Sequence, residues 1–207
     1  MSTVRRLILV RHGETLGESS TRYHGSSDVE LSPEGIEQMH EARRALQIEL
    51  DGYVIASSPL KRAWKGAWIL GDGAPVQLVD GFREIHFGRW EGMSREEIQA
   101  ADPVSYEDWQ NGVEGFEYPG GESRAAFRER VLRALGRLLG AQAHTAVVVA
   151  HKGVIRTVVE ALTGQKLERD EPTLGGVVQL VAQPDGAWRL GVRSSDPPAL
   201  AAAEAAA

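Results

Sequence analysis

Two histidines each stand at the end of a short apolar run, His12 after residues 7–10 and His151 after residues 146–150. In open α/β sheets ligands bind outside the carboxyl ends of the strands, so both imidazoles are expected to face a ligand. Near pH 7 a neutral imidazole keeps one ring nitrogen free to act as a nucleophile or a base. One such histidine is more often an ordinary polar residue at the start of a loop, but two of them near arginines favour catalysis.

Two arginines supply cations for such a site. Arg11 stands directly before His12, and a guanidinium at the end of a buried strand requires an anionic partner to compensate for desolvation. A phosphate is a good bidentate partner for it. Arg62 lies near the start of a predicted helix, where free backbone N–H groups also favour anions, although an exposed salt bridge is its alternative role. These side chains predict an anion site.

Strands that alternate with helices must position these residues. Runs rich in β-branched residues at 7–10, 53–56 and 146–150 predict central parallel strands. Residues 177–182 and 188–192 predict a hairpin at a sheet edge. This pattern is typical of an α/β fold. Capping residues and apolar stripes predict four helices: after Ser32 and Pro33 (Ile36, Met39, Ala42, Leu46, Leu50), after Ser58 and Pro59 (Ala63, Ala67, Leu70), after Ser123 (Phe127, Val131, Leu135, Leu138) and up to Gly164.

The stretch from Phe82 to Tyr118 differs from the rest of the chain. It holds seven of the thirteen aromatic residues but only short helical signals, such as the capping box from Ser94 to Glu97. We expect a cap inserted at residues 82–122, whose aromatic side chains either line a substrate entrance or, as is commoner, pack a small subdomain. The length predicts one domain over residues 1–195, and the remainder, 196–207, is rich in Ala and Pro and predicted to be a flexible tail.

Composition excludes several classes of function. The sequence contains no cysteine, which excludes disulfide scaffolds, thiolate metal sites and cysteine nucleophiles. A net charge of −6 argues against a general nucleic-acid binder. Only four apolar residues stand between Arg6 and Arg11, too few for a membrane span or the core of a signal peptide. We therefore expect a cytoplasmic protein without membrane contact.

Six blocks of residues carry a more specific pattern, and together they cover most of the chain. In this order they resemble the histidine phosphatase superfamily, also called phosphoglycerate mutase-like. An isolated Arg-His-Gly would be weak support, but six blocks in the order of the family are specific. The blocks are residues 9–15 (LVRHGET), 31–35 (LSPEG), 57–63 (SSPLKRA), 83–92 (REIHFGRWEG), 119–123 (PGGES) and 150–156 (AHKGVIR).

The resemblance implies a three-layer α/β sandwich with a mostly parallel central sheet, helices on both faces and a small inserted cap. It also implies that His12 is the nucleophile that forms a phosphohistidine and that Glu84 is the proton donor. The phosphoryl oxygens would be surrounded by three further side chains, those of Arg11, Arg62 and His151.

Glu84 must have a raised pKa to protonate the leaving alkoxide, because an ordinary glutamic acid has a pKa of about 4.3. Neighbouring arginines lower this pKa, whereas burial under the cap and a bound phosphate dianion raise it. We therefore expect an effective acid mainly in the substrate complex. After the alcohol leaves, the same carboxylate can take a proton from the water that attacks the phosphohistidine. An ordinary surface carboxylate is the alternative role.

Glu18 departs from the family, which usually has at this position an Asn that touches the phosphate. A carboxylate only accepts hydrogen bonds and would repel phosphate. Either Glu18 turns away, with Ser19 or Ser20 replacing the amide, or the loop is rearranged.

Lys152 is a second departure, since a glycine commonly follows the second histidine. Its ammonium either reaches an additional anionic group of the substrate or is a solvated lysine at a loop edge. His24 and Gly25 occupy a loop that the family uses for substrate contacts, although His24 is equally compatible with a solvated loop position.

Residues 87–92 separate two activities of the family. Cofactor-dependent mutases typically have Tyr-Gly-Ala-Leu-Gln-Gly where this chain has FGRWEG, and they carry a longer insertion. We therefore predict a metal-independent phosphatase that needs no cofactor and hydrolyses small phosphomonoesters. Its predicted partner is a small phosphorylated metabolite, and a homodimer is left open. The alternatives are a cofactor-dependent phosphoglycerate mutase and a non-catalytic phospholigand-binding protein, for which Glu18 is the best support.

Overall fold

A computed structural model describes residues 4–46 and 53–194 of the chain. The predicted tail at 196–207, and Leu50 of the first predicted helical stripe, lie outside the described residues. In the described part the α/β fold, with a mostly parallel central sheet and helices on both faces, is confirmed.

The central sheet has the strand order β3-β2-β4-β1-β5-β6. The pairs β3–β2, β2–β4 and β4–β1 are parallel, and β5 runs antiparallel to both β1 and β6. In the register of β1 with β4, Arg11 lies opposite Ala150, so the residues that follow both strands emerge at one edge. The strands are β1 (Arg6–Arg11), β2 (Tyr53–Ser57), β3 (Val76–Leu78), β4 (Thr145–Ala150), β5 (Val177–Ala182) and β6 (Trp188–Ser194).

Helices cover both faces of this sheet because successive strand residues point to opposite faces. In β1, Leu7 and Leu9 pack in one core cluster together with apolar residues of α5 and α6. Ile8 and Val10 pack in the other, with residues of α1 and α2. The helices are α1 (Pro33–Leu46), α2 (Lys61–Leu70), α3 (Arg95–Ala101), α4 (Pro103–Gln110), α5 (Arg124–Leu139) and α6 (Lys152–Thr163).

Two helices differ from the sequence-based prediction. The stripe predicted for α1 included Ile36, which is exposed, and the helix buries Gly35 instead because its start packs against the loop after β1. The second helix begins at Lys61 and not directly after Ser58. The Ser58 hydroxyl still accepts a hydrogen bond from the backbone N–H of Leu60 at 3.2 Å, but its main contact lies in the site described below.

The aromatic residues of the 82–122 segment mostly pack a small core of their own. Trp90, Ile98 and Phe116 are buried there, and the Trp90 ring lies edge to face with that of Trp109 and tilted by 31° against that of Phe116. The capping box at the start of α3 is present, with the Ser94 hydroxyl accepting from the backbone N–H three residues on. Packing, the commoner use of such residues, is the one that the structure shows.

Candidate active site

His12 follows β1 and is almost completely buried. Its Nδ1 lies 2.7 Å from the carbonyl oxygen of Gly13, to which it can donate, and this assignment leaves Nε2 without a proton. Nε2 accepts a hydrogen bond from Nε of Arg62 at 3.2 Å. Burial, and then the positive charges of Arg62 and Arg11, hold the pKa of His12 well below its usual value of 6.5. His12 is therefore a neutral imidazole with a free ring nitrogen.

Arg62 is fully buried at the start of α2 and is held by backbone carbonyl groups of one loop. Its Nη1 donates to Ser27 at 2.6 Å, and its Nη2 donates to His24 at 2.9 Å and to Gly25 at 2.8 Å. Burial lowers its pKa to about 10, so the guanidinium remains cationic near neutral pH. The alternative role as an exposed salt bridge is wrong, because the residue has no exposed surface.

His151 is the N-cap residue of α6, with its ring centroid 5.2 Å from that of His12. Its Nε2 lies 2.8 Å from the hydroxyl of Ser58, which follows β2 at the same edge of the sheet. Burial, followed by Arg62, lowers its pKa well below the usual value. Nδ1 of His151 and Nε of Arg11 are buried without a hydrogen-bond partner among the described residues. Such groups are costly to leave unpaired, and phosphoryl oxygens are acceptors that could satisfy them.

Glu84 is buried beside these cations. Its carboxylate accepts hydrogen bonds from the backbone N–H groups of Ile85 at 2.9 Å and Gly153 at 3.0 Å. Burial raises its pKa and outweighs both hydrogen bonds and the charges of Arg62 and Arg11, which lower it. Both burial and a bound phosphate were expected from the sequence to raise this pKa, and burial by the protein raises it already.

Two residues that the sequence analysis did not single out hold Glu84 in place. A Cβ on Gly153 would lie 2.4 Å from Oε1 of Glu84, so only glycine allows this approach. The guanidinium of Arg130 donates to the carbonyl groups of Arg83 at 2.7 Å and Glu84 at 3.0 Å, and it is paired with Glu122. Arg130 lies on the amphipathic helix α5, where a polar residue beside the apolar stripe gives no signal of its partners in sequence.

The sequence model of the histidine phosphatase superfamily (branch 1) matches residues 7–190. The chain belongs to the histidine phosphatase superfamily. It is 35% identical over 184 residues to glucosyl-3-phosphoglycerate phosphatase of Mycolicibacterium vanbaalenii, covering 84% of this chain and 80% of that protein. It is 32% identical over 167 residues to adenosylcobalamin/alpha-ribazole phosphatase of Escherichia coli, covering 79% and 81%.

A solved structure of another family member has the same fold. It is phosphoserine phosphatase from Entamoeba histolytica in complex with 3-phosphoglyceric acid, with a TM-score of 0.79 and 28% identity. The superposition covers 93% of this chain and 98% of that one. The resemblance found in the six sequence blocks is thereby confirmed at the level of family and fold.

The side chain of Glu18 turns away, which is the first part of one alternative expected for this departure from the family, and replacement of the amide by Ser19 or Ser20 stays a prediction. Its side chain is 71% exposed and lies 3.5 Å from Nε of Arg22. The backbone of Glu18 has a positive φ of 59°, the left-handed region that Asn adopts more readily than other residues with a side chain. The hydroxyl of Ser19 lies 2.8 Å from that of Thr15, and the N–H of Ser20 bonds to Glu14.

The three predicted substrate-contact residues differ in their surroundings. Lys152 is partly buried, with Nζ 3.9 Å from Asp170, and burial followed by the charge of Arg11 lowers its pKa to about 8. His24 and Gly25 give their carbonyl groups to Arg62, and the His24 ring contacts the backbone of Gly17 through Nε2. His24 is thus a partly buried loop residue rather than a solvated one.

Residues 4–46 and 53–194 contain no group of three or more His, Asp or Glu side chains arranged to hold a metal ion. In the same part of the chain no helix combines the length and the apolar character needed to cross a membrane.

Proposed function

We propose that this phosphatase hydrolyses small phosphomonoesters through a phosphohistidine formed on Nε2 of His12. The observation that carries the proposal is the unprotonated, buried Nε2 in contact with the Arg62 guanidinium. In the first step Nε2 bonds to phosphorus while the ester P–O bond breaks. Glu84 gives its proton to the departing alkoxide oxygen and becomes a carboxylate.

In the second step water attacks the phosphohistidine. The Glu84 carboxylate takes a proton from this water, the N–P bond breaks, and phosphate leaves with His12 neutral again. Arg11, Arg62 and His151 bind the phosphoryl oxygens, whose negative charge is spread over three atoms in the transition state. The cations Arg11 and Arg62, fixed in advance in a buried site, stabilise this charge more than mobile ones would, because they need no reorganisation during the reaction.

His24, Gly25 and Lys152 are the proposed substrate contacts. His24 and Gly25 belong to the loop that binds Arg62, and their carbonyl groups accept from its Nη2, which places this loop next to a guanidinium of the proposed phosphoryl site. Lys152 follows His151 directly and brings a cation close to Arg11, which favours a substrate whose leaving group carries a second negative charge. The names of the relatives are compatible with such substrates, since phosphoglycerate and phosphoserine derivatives contain a carboxylate.

The test is release of phosphate from p-nitrophenyl phosphate by the purified protein in the presence of EDTA. We expect turnover that EDTA does not change and that His12→Ala abolishes. The matched control is His144→Ala, an exposed histidine directly before β4. No turnover, turnover abolished by EDTA, or unchanged turnover in His12→Ala would each contradict the proposal. Ligand binding without turnover in the unsubstituted protein would indicate a binding protein instead.

A further inference from the structure

Glu91, which directly follows the short 3-10 turn Gly88–Trp90, anchors the loop that holds Arg62. Its Oε1 accepts from the backbone N–H groups of Ser26 and Phe87, both at 3.0 Å. Its Oε2 accepts from the N–H of Gly25 at 3.2 Å, and from the N–H of Ser27 at 3.3 Å and its hydroxyl at 2.5 Å. Burial raises the pKa of Glu91, but these hydrogen bonds outweigh it and keep the pKa below the usual value. Glu91 is therefore an anion.

The same loop faces Arg62 with its carbonyl groups. Gly25 and Ser27 donate their N–H groups to Glu91 and accept from the Arg62 guanidinium through their carbonyl oxygens. The peptide groups of residues 24–27 thus lie between a carboxylate and a guanidinium, which polarise them in the same sense. A Cβ on Gly25 would lie 2.0 Å from the carbonyl oxygen of Ile85, so the loop also fits tightly against the segment that carries Glu84.

We propose that Glu91 is a positioning residue that fixes Arg62 against Nε2 of His12 and the phosphoryl group. It acts through the loop at residues 24–27 and does not itself touch the reacting atoms. The inference rests on the proposed function, because it takes His12 and Arg62 as the groups that act on the phosphoryl group. It assigns to the segment at residues 82–122 a role in catalysis.

Substitution of Glu91 by Gln tests this role because its two consequences have opposite signs at His12. The amide N–H₂ of Gln would meet backbone N–H donors, so the loop would lose acceptors and release Arg62. If Arg62 moves away from Nε2, the pKa of His12 rises. If Arg62 stays and only a negative charge is lost, the pKa of His12 falls.

The groups that face His12 include three cationic or titratable neighbours besides Arg62, and the carboxyl group of Glu84 lies beside Arg11 and Arg62. Arg11 comes from β1, His151 from the start of α6, and His24 from the loop itself. None of these three contacts Glu91 through its side chain in the hydrogen bonds described here. A rise in the pKa of His12 in Glu91→Gln therefore reports loosening of the loop at residues 24–27, through release of Arg62 and through any water that reaches the imidazole.

The experiment measures the pKa of His12 by NMR titration of ¹⁵N-labelled histidines, together with the pH profile of kcat/KM. In Glu91→Gln we expect a higher His12 pKa and an acid limb shifted to higher pH. We also expect kcat to fall about 10-fold or more, with a smaller change in KM, since misplacement of a positioned group by about 1 Å costs up to about 10²-fold. If Glu91 only stabilised the fold, Glu91→Gln would lower the amount of folded protein without moving the acid limb of the pH profile.

Glu97→Gln is the matched control. Glu97 is also a carboxylate of the 82–122 segment that binds the loop between β1 and α1. It contacts Arg22 of this loop and the backbone of Ser94, but not residues 24–27. We expect it to leave the pKa of His12 and kcat unchanged. Ser27→Ala removes one donor to Glu91 while keeping its charge, and we expect a smaller shift in the same direction.

Thermal unfolding of each variant identifies any that fails to fold, and Ser27→Ala then carries the test. A His12 pKa that is unchanged or lowered in folded Glu91→Gln, or in folded Ser27→Ala where Glu91→Gln fails to fold, would overturn the proposal. If only the proposal about Glu91 fails, His12→Ala still abolishes turnover. If the proposed function itself fails, His12→Ala retains turnover.

Discussion

The site is built from two halves that are fixed in different ways. His12 and His151 follow neighbouring parallel strands, and the register that pairs Arg11 with Ala150 brings them to within 5.2 Å between ring centroids. Arg62 and Glu84 come from a helix start and an irregular segment, and hydrogen bonds to backbone groups distant in sequence hold them. The strand-end half inherits its geometry from the sheet, which is packed between the two large core clusters. The loop half depends on individual polar contacts, so single substitutions should disturb it most.

Arg62→Lys, in the loop half, is expected to give the largest loss of kcat. A lysine keeps the charge but not the planar fork, so it cannot contact His12 and three carbonyl groups at once. We expect kcat for p-nitrophenyl phosphate to fall by about 10²–10³-fold, as for loss of a preorganised transition-state donor. Lys61→Arg, on the neighbouring exposed residue, is the control and should be unchanged. Near-normal kcat in Arg62→Lys would mean that charge alone suffices in the loop half.

Glu84→Gln should cause a loss that depends on the leaving group. For an alkyl phosphate, whose alkoxide needs a proton, we expect kcat to fall by at least about 10²-fold, and for p-nitrophenyl phosphate by much less. Equal losses for both substrates would exclude Glu84 as the proton donor.

The pH profile of kcat/KM in the unsubstituted protein gives the sign of the pKa shifts of His12 and Glu84. Neutral His12 is the active form, so activity should persist below pH 6.5; protonated Glu84 is the active form, so the basic limb should lie above pH 4.5.

Lys152→Met should have a moderate effect that is confined to substrates with a second anionic group. We expect KM for 3-phosphoglycerate to rise about 10-fold, the order of one charged contact, while KM for p-nitrophenyl phosphate is unchanged. Because the pKa of Lys152 is about 8, KM for 3-phosphoglycerate in the unsubstituted protein should rise as pH increases through 8 and the ammonium is lost. Lys166→Met, at a residue with a 78% exposed side chain, is the control. The same change in KM for both substrates would exclude a second-anion contact.

Glu18→Asn should have the smallest effect, although it restores the residue usual in the family. The Glu18 side chain points to solvent and to Arg22, and Asn tolerates its left-handed backbone. We expect kcat/KM to change by no more than about 2-fold, the range of an ordinary surface substitution. A gain of 10-fold or more would show that this corner of the site contributes to phosphate binding.

The difference between the strand-end half and the loop half also determines how much of the fold and of the site could be predicted from the sequence. The three central strands and their terminal histidines are readable because buried parallel strands have continuous β-branched runs and a known ligand edge. The start of α1 is also readable, since the Ser32 hydroxyl caps Gly35 three residues on. These signals are local.

The contacts of the loop half are not local, and the sequence did not predict them. Glu91 accepts hydrogen bonds from three backbone N–H groups that are separated from it by 64 to 66 positions in the sequence. Arg130 donates to a carbonyl group 46 positions away. No periodicity links such partners. The strand β3 was missed for a different reason, since it has only three residues, of which two are exposed, and gives no apolar run.

The central claim is that Nε2 of His12 carries the phosphoryl group during turnover. The most direct measurement is rapid quenching of the reaction with an excess phosphomonoester, followed by digestion at neutral or basic pH and mass spectrometry of the peptide that contains His12. The account predicts an acid-labile phosphoryl group on His12, present in His144→Ala and absent in His12→Ala. Steady turnover without any label on this peptide, or a label that persists elsewhere in His12→Ala, would contradict it.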